Sequence, residues 1–149
     1  MKQSAIFLLA LAIYTSCTPD SGKKKPLPLI GTWQLIAATS TERDSTYSTF
    51  NPKVRMIKMI NETHFGFFSH DLNQGKDSTA AFTAGGGEYT LSDSIYTERL
   101  QYFIQREWEG HEFRFTVTIR NDTLTQRGVE KLEKLGIDRI IEEKYMRIK

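Results

Sequence analysis

The chain has 149 residues, with 20 Lys and Arg against 18 Asp and Glu, three His and one Cys. This near balance argues against nucleic acid as a partner, which demands a concentrated basic face. A lone cysteine excludes an intramolecular disulfide, so a core and hydrogen-bond ladders must hold the fold.

Met1-Lys2 is followed by the apolar run Ala5–Ile13 and then by Tyr14-Thr15-Ser16-Cys17. A charged start, a short apolar stretch and small residues before a break predict a secretory signal peptide over residues 1–16. The run is shorter than the roughly 20 apolar residues that a membrane span needs. The cysteine at the cleavage point resembles a bacterial lipoprotein signal. That resemblance implies lipidation of Cys17, secretion across the inner membrane, and a periplasmic or outer-membrane lipoprotein held to the membrane by its anchor. Residues 17–28 are rich in Pro, Gly, Ser and Lys and predict a flexible tether. The folded domain is expected over 29–149.

From Leu29 onward the apolar spacing is mostly two. Strands are expected at Leu29–Ser40, Lys53–Ile60 and His64–His70, with a turn at Asn61-Glu62. Ala80–Ala84 and Glu88–Leu91 read as a hairpin turning at Gly85-Gly86-Gly87. Ser94–Gln105 reads as a long strand that places Tyr96, Glu98, Leu100 and Tyr102 on one face. Phe113, Phe115, Val117 and Ile119 alternate with polar residues in the clearest strand. It turns at Asn121-Asp122 into Thr123–Arg127. Val129–Leu135 predicts one or two helical turns before the last strand, Glu142–Ile148. The fold class is therefore all-β: an antiparallel up-and-down barrel of 8–10 strands with a short helical or irregular segment before the last one.

Gly31-Thr32-Trp33 on the first strand and Tyr145-Met146-Arg147 on the last resemble the lipocalin-like barrels of secreted bacterial proteins. The resemblance implies that Gly31, Trp33 and Arg147 close one barrel end, with the guanidinium stacked on the indole. It makes these residues structural.

Chemistry is sparse. His64 and His70 sit six apart on one strand, roughly 20 Å by strand rise, and cannot share a metal. No zinc spacing or nucleophile elbow occurs, so no metal, cofactor or catalytic residue is assigned and the chain reads as a non-enzyme. Phe65, Phe67, Tyr96, Glu98, Phe113 and Phe115 are expected to line one interior. That interior is either a cavity for a small hydrophobic or amphipathic ligand or a packed core. Glu98 either fixes a polar ligand group, acts as a base with a shifted pKa, pairs with an inward arginine, or faces water. The alternative function is a protein-interaction module acting through Thr41–Pro52 and Asn73-Gln74-Gly75 with a filled barrel.

Overall fold

The computed structural model describes residues 27–76 and 80–149. The expected signal peptide, Cys17 and most of the tether lie outside the described residues.

Nine strands form one antiparallel sheet: β1 (Gly31–Glu42), β2 (Ser45–Ser48), β3 (Val54–Ile60), β4 (His64–Asp71), β5 (Phe82–Ser92), β6 (Ile95–Phe103), β7 (Glu112–Arg120), β8 (Thr123–Leu132) and β9 (Ile137–Ile148). β1 pairs with β3 and also with β9, so eight strands close into a barrel. β2 is an extra strand that pairs only with the far end of β1, across Thr39–Glu42. The all-β, up-and-down barrel expected from the period-two spacing is therefore what the chain forms. Closure leaves no long unpaired edge.

The two barrel ends differ. The turns at Asn61–Thr63, Asp93-Ser94 and Asn121-Asp122 gather at one end with the start of β1. The longer connections 43–53, 104–111 and 133–136 gather at the other. Trp33 is fully buried at the first end. Its indole donates to the Leu29 carbonyl at 2.9 Å, and the Arg147 guanidinium lies 4.0 Å from the ring centre. Arg147 also donates to the Ile30 and Pro28 carbonyls, tying the entry of the chain over the closed end. Gly31, at φ 147°, passes beneath it where an added Cβ would strike the Arg147 guanidinium.

Four expectations are corrected. Gly85-Gly86-Gly87 is not a turn; it lies inside β5, which runs unbroken from Phe82 to Ser92. A Cβ on Gly85 would sit 2.5 Å from the Phe67 ring and 3.0 Å from Phe103. A Cβ on Gly87 would collide with the Arg99 carbonyl. The glycines are there for close packing, with a bulge between Gly86 and Gly87. That bulge shifts the parity of β6, so Tyr102 points outward and is 67% exposed, whereas Phe103 packs inward. Val129–Leu135 is not helical throughout: β8 continues to Leu132, one 3-10 turn spans Glu133–Leu135, and Gly136 ends it in the left-handed region at φ 67°. β9 starts at Ile137, five residues before the expected Glu142.

Gly85→Val is expected to destabilise the fold by about 1–3 kcal/mol through overpacking against Phe67 and Phe103. Gly66→Ala, whose Cβ would meet only the Gly85 carbonyl at 3.7 Å, should stay within about 0.5 kcal/mol of wild type. Urea unfolding compares the two; equal midpoints would refute the close-packing account of Gly85.

Candidate functional site

Alternation along each strand decides what enters the barrel. Lys58 of β3 is buried, with 2% of its surface exposed, between outward Ile57 and Met59. Its Nζ donates to Glu98 Oε1 at 2.7 Å and to Gln126 Oε1 at 3.0 Å. The rings of Phe65, Tyr96 and Tyr145 surround the ammonium at 5.7, 5.9 and 5.3 Å from their centres. A buried cation of this kind is stable only when its charge is matched and its donors are used. Glu98 matches the charge, and Gln126 and the aromatic faces complete the shell.

The chain of polar groups continues toward the open end. Gln126 donates through Nε2 to Glu143 Oε2 at 2.9 Å, and the Tyr145 hydroxyl donates to the same oxygen at 2.6 Å. Higher still, Arg139 binds Glu130 through Nε and Nη2 at 2.8 and 2.7 Å. Lys58 and Arg139 are thus each matched by a carboxylate, whereas Glu143 is held by two neutral donors. Burial pushes the Glu143 carboxyl above its ordinary value. Lys58 and the Tyr145 hydrogen bond oppose this, and the Glu98 and Glu130 charges add to it. Burial, followed by the Glu143 charge, holds the Tyr145 phenol far above its usual value, so it remains a neutral donor. Burial and then Glu98 do the same to Tyr96.

Glu143 also lines a cleft of about 220 Å³ between β1, the β2–β3 connection, β3 and β4. Its walls include Leu35, Ala38, Phe50, Val54, Met56 and Ser69. Glu143 is enclosed by protein yet keeps a half-buried edge on this space. Two buried hydroxyls, Ser40 Oγ and Tyr96 Oη, have no hydrogen-bond partner among the described residues. Ser40 lies two residues beyond Ala38 on the inward face of β1.

All six residues expected to line the interior do face inward. Phe65, Tyr96, Phe113 and Phe115 are packed in the core at 5% exposure or less. Phe67 is partly buried and meets Phe103 edge-on, with ring centres 5.8 Å apart. Glu98 is inward and paired, as one of its four readings had it, but its partner is Lys58 and not an arginine. Trp108, carried by the 3-10 turn Arg106–Trp108, packs against Phe103, Phe113 and the Arg139 guanidinium across the open end. Lys58, Gln126, Glu143 and Trp108 were not among the residues singled out. Gln126 and Glu143 were within reach of the alternation rule, since they stand two places from inward Leu124 and Tyr145. Among the described residues, no three His, Cys, Asp or Glu side chains come together to hold a metal ion.

The fold and its interior define a small closed antiparallel barrel with a charged centre and one half-open end, compatible with a lipocalin-like fold. Residues 28–149 match the family described as Domain of unknown function (DUF4488), and the chain belongs to that family. Comparisons with curated proteins and with solved structures found no match.

The raised carboxyl of Glu143 has a consequence for stability. The folded chain keeps this proton to higher pH than the unfolded chain does. Its contribution is therefore complete below the ordinary 4.5 and is lost as pH rises through the raised value. Urea midpoints of wild type and Glu143→Gln across this range should show wild type losing stability relative to the variant as pH increases. A constant or opposite difference would refute the assignment.

Proposed function

We propose that this barrel binds a small apolar or amphipathic molecule without chemical turnover. The guest lies at the half-open end, its apolar part against Leu35, Val54 and Met56 and its polar end toward Glu143. The observation that carries this reading is the cleft that leads from the surface to a half-buried carboxylate. Phe65, Phe67, Tyr96, Glu98, Phe113 and Phe115 are not among the residues that line this cleft; the five aromatics pack in the core beside it, and Glu98 holds Lys58 in place. Apolar walls with a small number of placed polar groups, here Glu143, Thr49, Asn51 and Ser69, are the usual composition of a small-molecule site.

In this reading the barrel works in the cell envelope, tethered through acylated Cys17. The test is to purify the protein from its native host and examine it by native and denaturing mass spectrometry. A co-purifying molecule is expected on wild type and not on Ser69→Trp, whose ring would fill the cleft. An acylated N-terminal Cys17 is expected on both. Equal occupancy of the two proteins overturns the cleft, and an unmodified Cys17 overturns the anchor.

A protein-contact function is favoured by one separate observation. Met59, Phe68, Phe82 and Tyr102 are exposed on the outer wall of β3–β6, and the register sets Met59, Gly66, Gly86 and Tyr102 in one row. Exposed apolar patches of this kind mark contact surfaces. Phe82→Lys with Tyr102→Lys is then expected to abolish partner capture in a pull-down from the native host while leaving the urea midpoint within about 0.5 kcal/mol. Undiminished capture would remove this reading.

A further inference from the structure

The charges inside the barrel do not match in number, and the mismatch lies where the cleft opens. Across the middle and upper interior, the inward positions of β3, β6, β8 and β9 hold two cations, Lys58 and Arg139, and three carboxylates, Glu98, Glu130 and Glu143. Lys58 is spoken for by Glu98 and Arg139 by Glu130. Glu143 has only amide and phenol donors, and both bonds fall on Oε2.

Lys58 is sealed from the cleft by burial and by three aromatic rings, so it offers nothing to an anion entering there. Glu143, in contrast, is one of the cleft-lining residues. The other polar walls are neutral: Thr49, Asn51 and Ser69. A guest that meets Glu143 therefore meets a carboxylate with no cation bonded to it, under only the more distant pull of Lys58, in a surround of low dielectric where an unmatched charge is costly and a matched one is worth far more than in water.

We propose that the guest of this cleft is a small alkylammonium, its nitrogen paired with Glu143 and its alkyl chain lying between Leu35, Val54 and Met56. This rests on the cleft being the binding site and adds the charge of its ligand. The volume suits a short chain, since about 220 Å³ equals roughly seven water volumes of ~30 Å³. An ammonium donates to the carboxylate and completes the pairing of the interior charges, whereas an alcohol supplies one hydrogen bond and no charge. A carboxylate guest would bring a fourth negative group beside Glu143, Glu98 and Glu130.

The test uses the full chain labelled at methionine methyls, titrated with n-pentylammonium, n-pentanol and pentanoate. Met56 lines the cleft and reports binding, and exposed Met59 and Met146 are controls. Pentylammonium is expected to shift Met56 and to bind about tenfold or more tightly than pentanol, in line with the strength of charge-assisted hydrogen bonds. Pentanoate should not bind. Glu143→Gln keeps an oxygen to accept from Tyr145 and should bind both neutral and cationic probes alike. In wild type, pentylammonium affinity should rise with pH as Glu143 ionises, with no such rise for pentanol; this readout does not depend on the variant folding. Equal affinities of the ammonium and the alcohol in wild type overturn the charge assignment and leave the cleft standing. No response of Met56 to any of the three probes overturns both.

Discussion

A lysine ammonium sits at the centre of this barrel, and the rest of the interior is arranged around it. An isolated charge at 2% exposure would cost several kcal/mol. It is tolerated because Glu98 on β6 and Gln126 on β8 reach it from across the barrel, forty and sixty-eight residues away in sequence. These bonds join three strands that are not neighbours in the sheet, so they specify how the barrel closes as well as compensating the charge. Tyr96 and Tyr145 stand on the same strands as Glu98 and Glu143 and turn their faces to the ammonium. Removing the cation would leave Glu98 buried and unmatched, and removing the acid would strand the lysine. The pair must therefore form together, at the point where β3 and β6 are both in place.

Placing charge at the centre divides the barrel into two unlike halves. Below Lys58 the interior is apolar, with Ile60, Phe65, Val117, Leu124 and Trp33 in contact, and Arg147 covers the end. Among the described residues there, the Trp33 indole N–H donates to the Leu29 carbonyl, and the Tyr96 hydroxyl is buried without a partner. Above Lys58 the polar chain runs through Gln126 to Glu143, with the Glu130–Arg139 pair further up. The lower half is an apolar core, and the upper half holds most of the polar groups of the interior. Trp108 covers part of the upper end, and the cleft opens on the opposite side, by β1, β3 and β4.

The fold was legible because alternation is a local property. Phe113–Ile119 declares its inward face without help from any other strand, and Gly31-Thr32-Trp33 with Arg147 marks the closed end. The centre was not legible, for a physical reason. In Val54–Ile60 apolar residues occupy both faces and each face carries one basic residue, Arg55 or Lys58, and a lysine taken alone belongs outside. The reverse holds because Glu98 and Gln126 offer Lys58 partners, which is a property of the closed barrel and not of the segment. The three glycines failed for a related reason. Glycine is a turn residue in isolation, but within β5 it makes room for Phe67, Phe103 and the Arg99 carbonyl, none of which is local. The bulge beside them moved Tyr102 to the outer face, since a one-residue slip reverses every side chain after it.

The position of the chain's entry bears on how the two halves are used. Pro28 and Ile30 are fastened by Arg147 at the closed end. A membrane anchor at Cys17 would join the barrel there, through eleven further residues that extend to at most about 40 Å. The cleft and the Glu143 carboxylate belong to the opposite half. In that arrangement the stable end stays near the attachment, and the end that carries the unmatched acid is free to face the surrounding solution. A guest would then reach Glu143 by diffusion from water, not from the lipid phase. That route favours a molecule with a charged group, because a purely apolar one would partition into the membrane before it met the cleft. If the proposed binding and anchoring both hold, the route to the site and the Glu143 carboxylate at its base would select for the same property, a short apolar body that carries a positive charge.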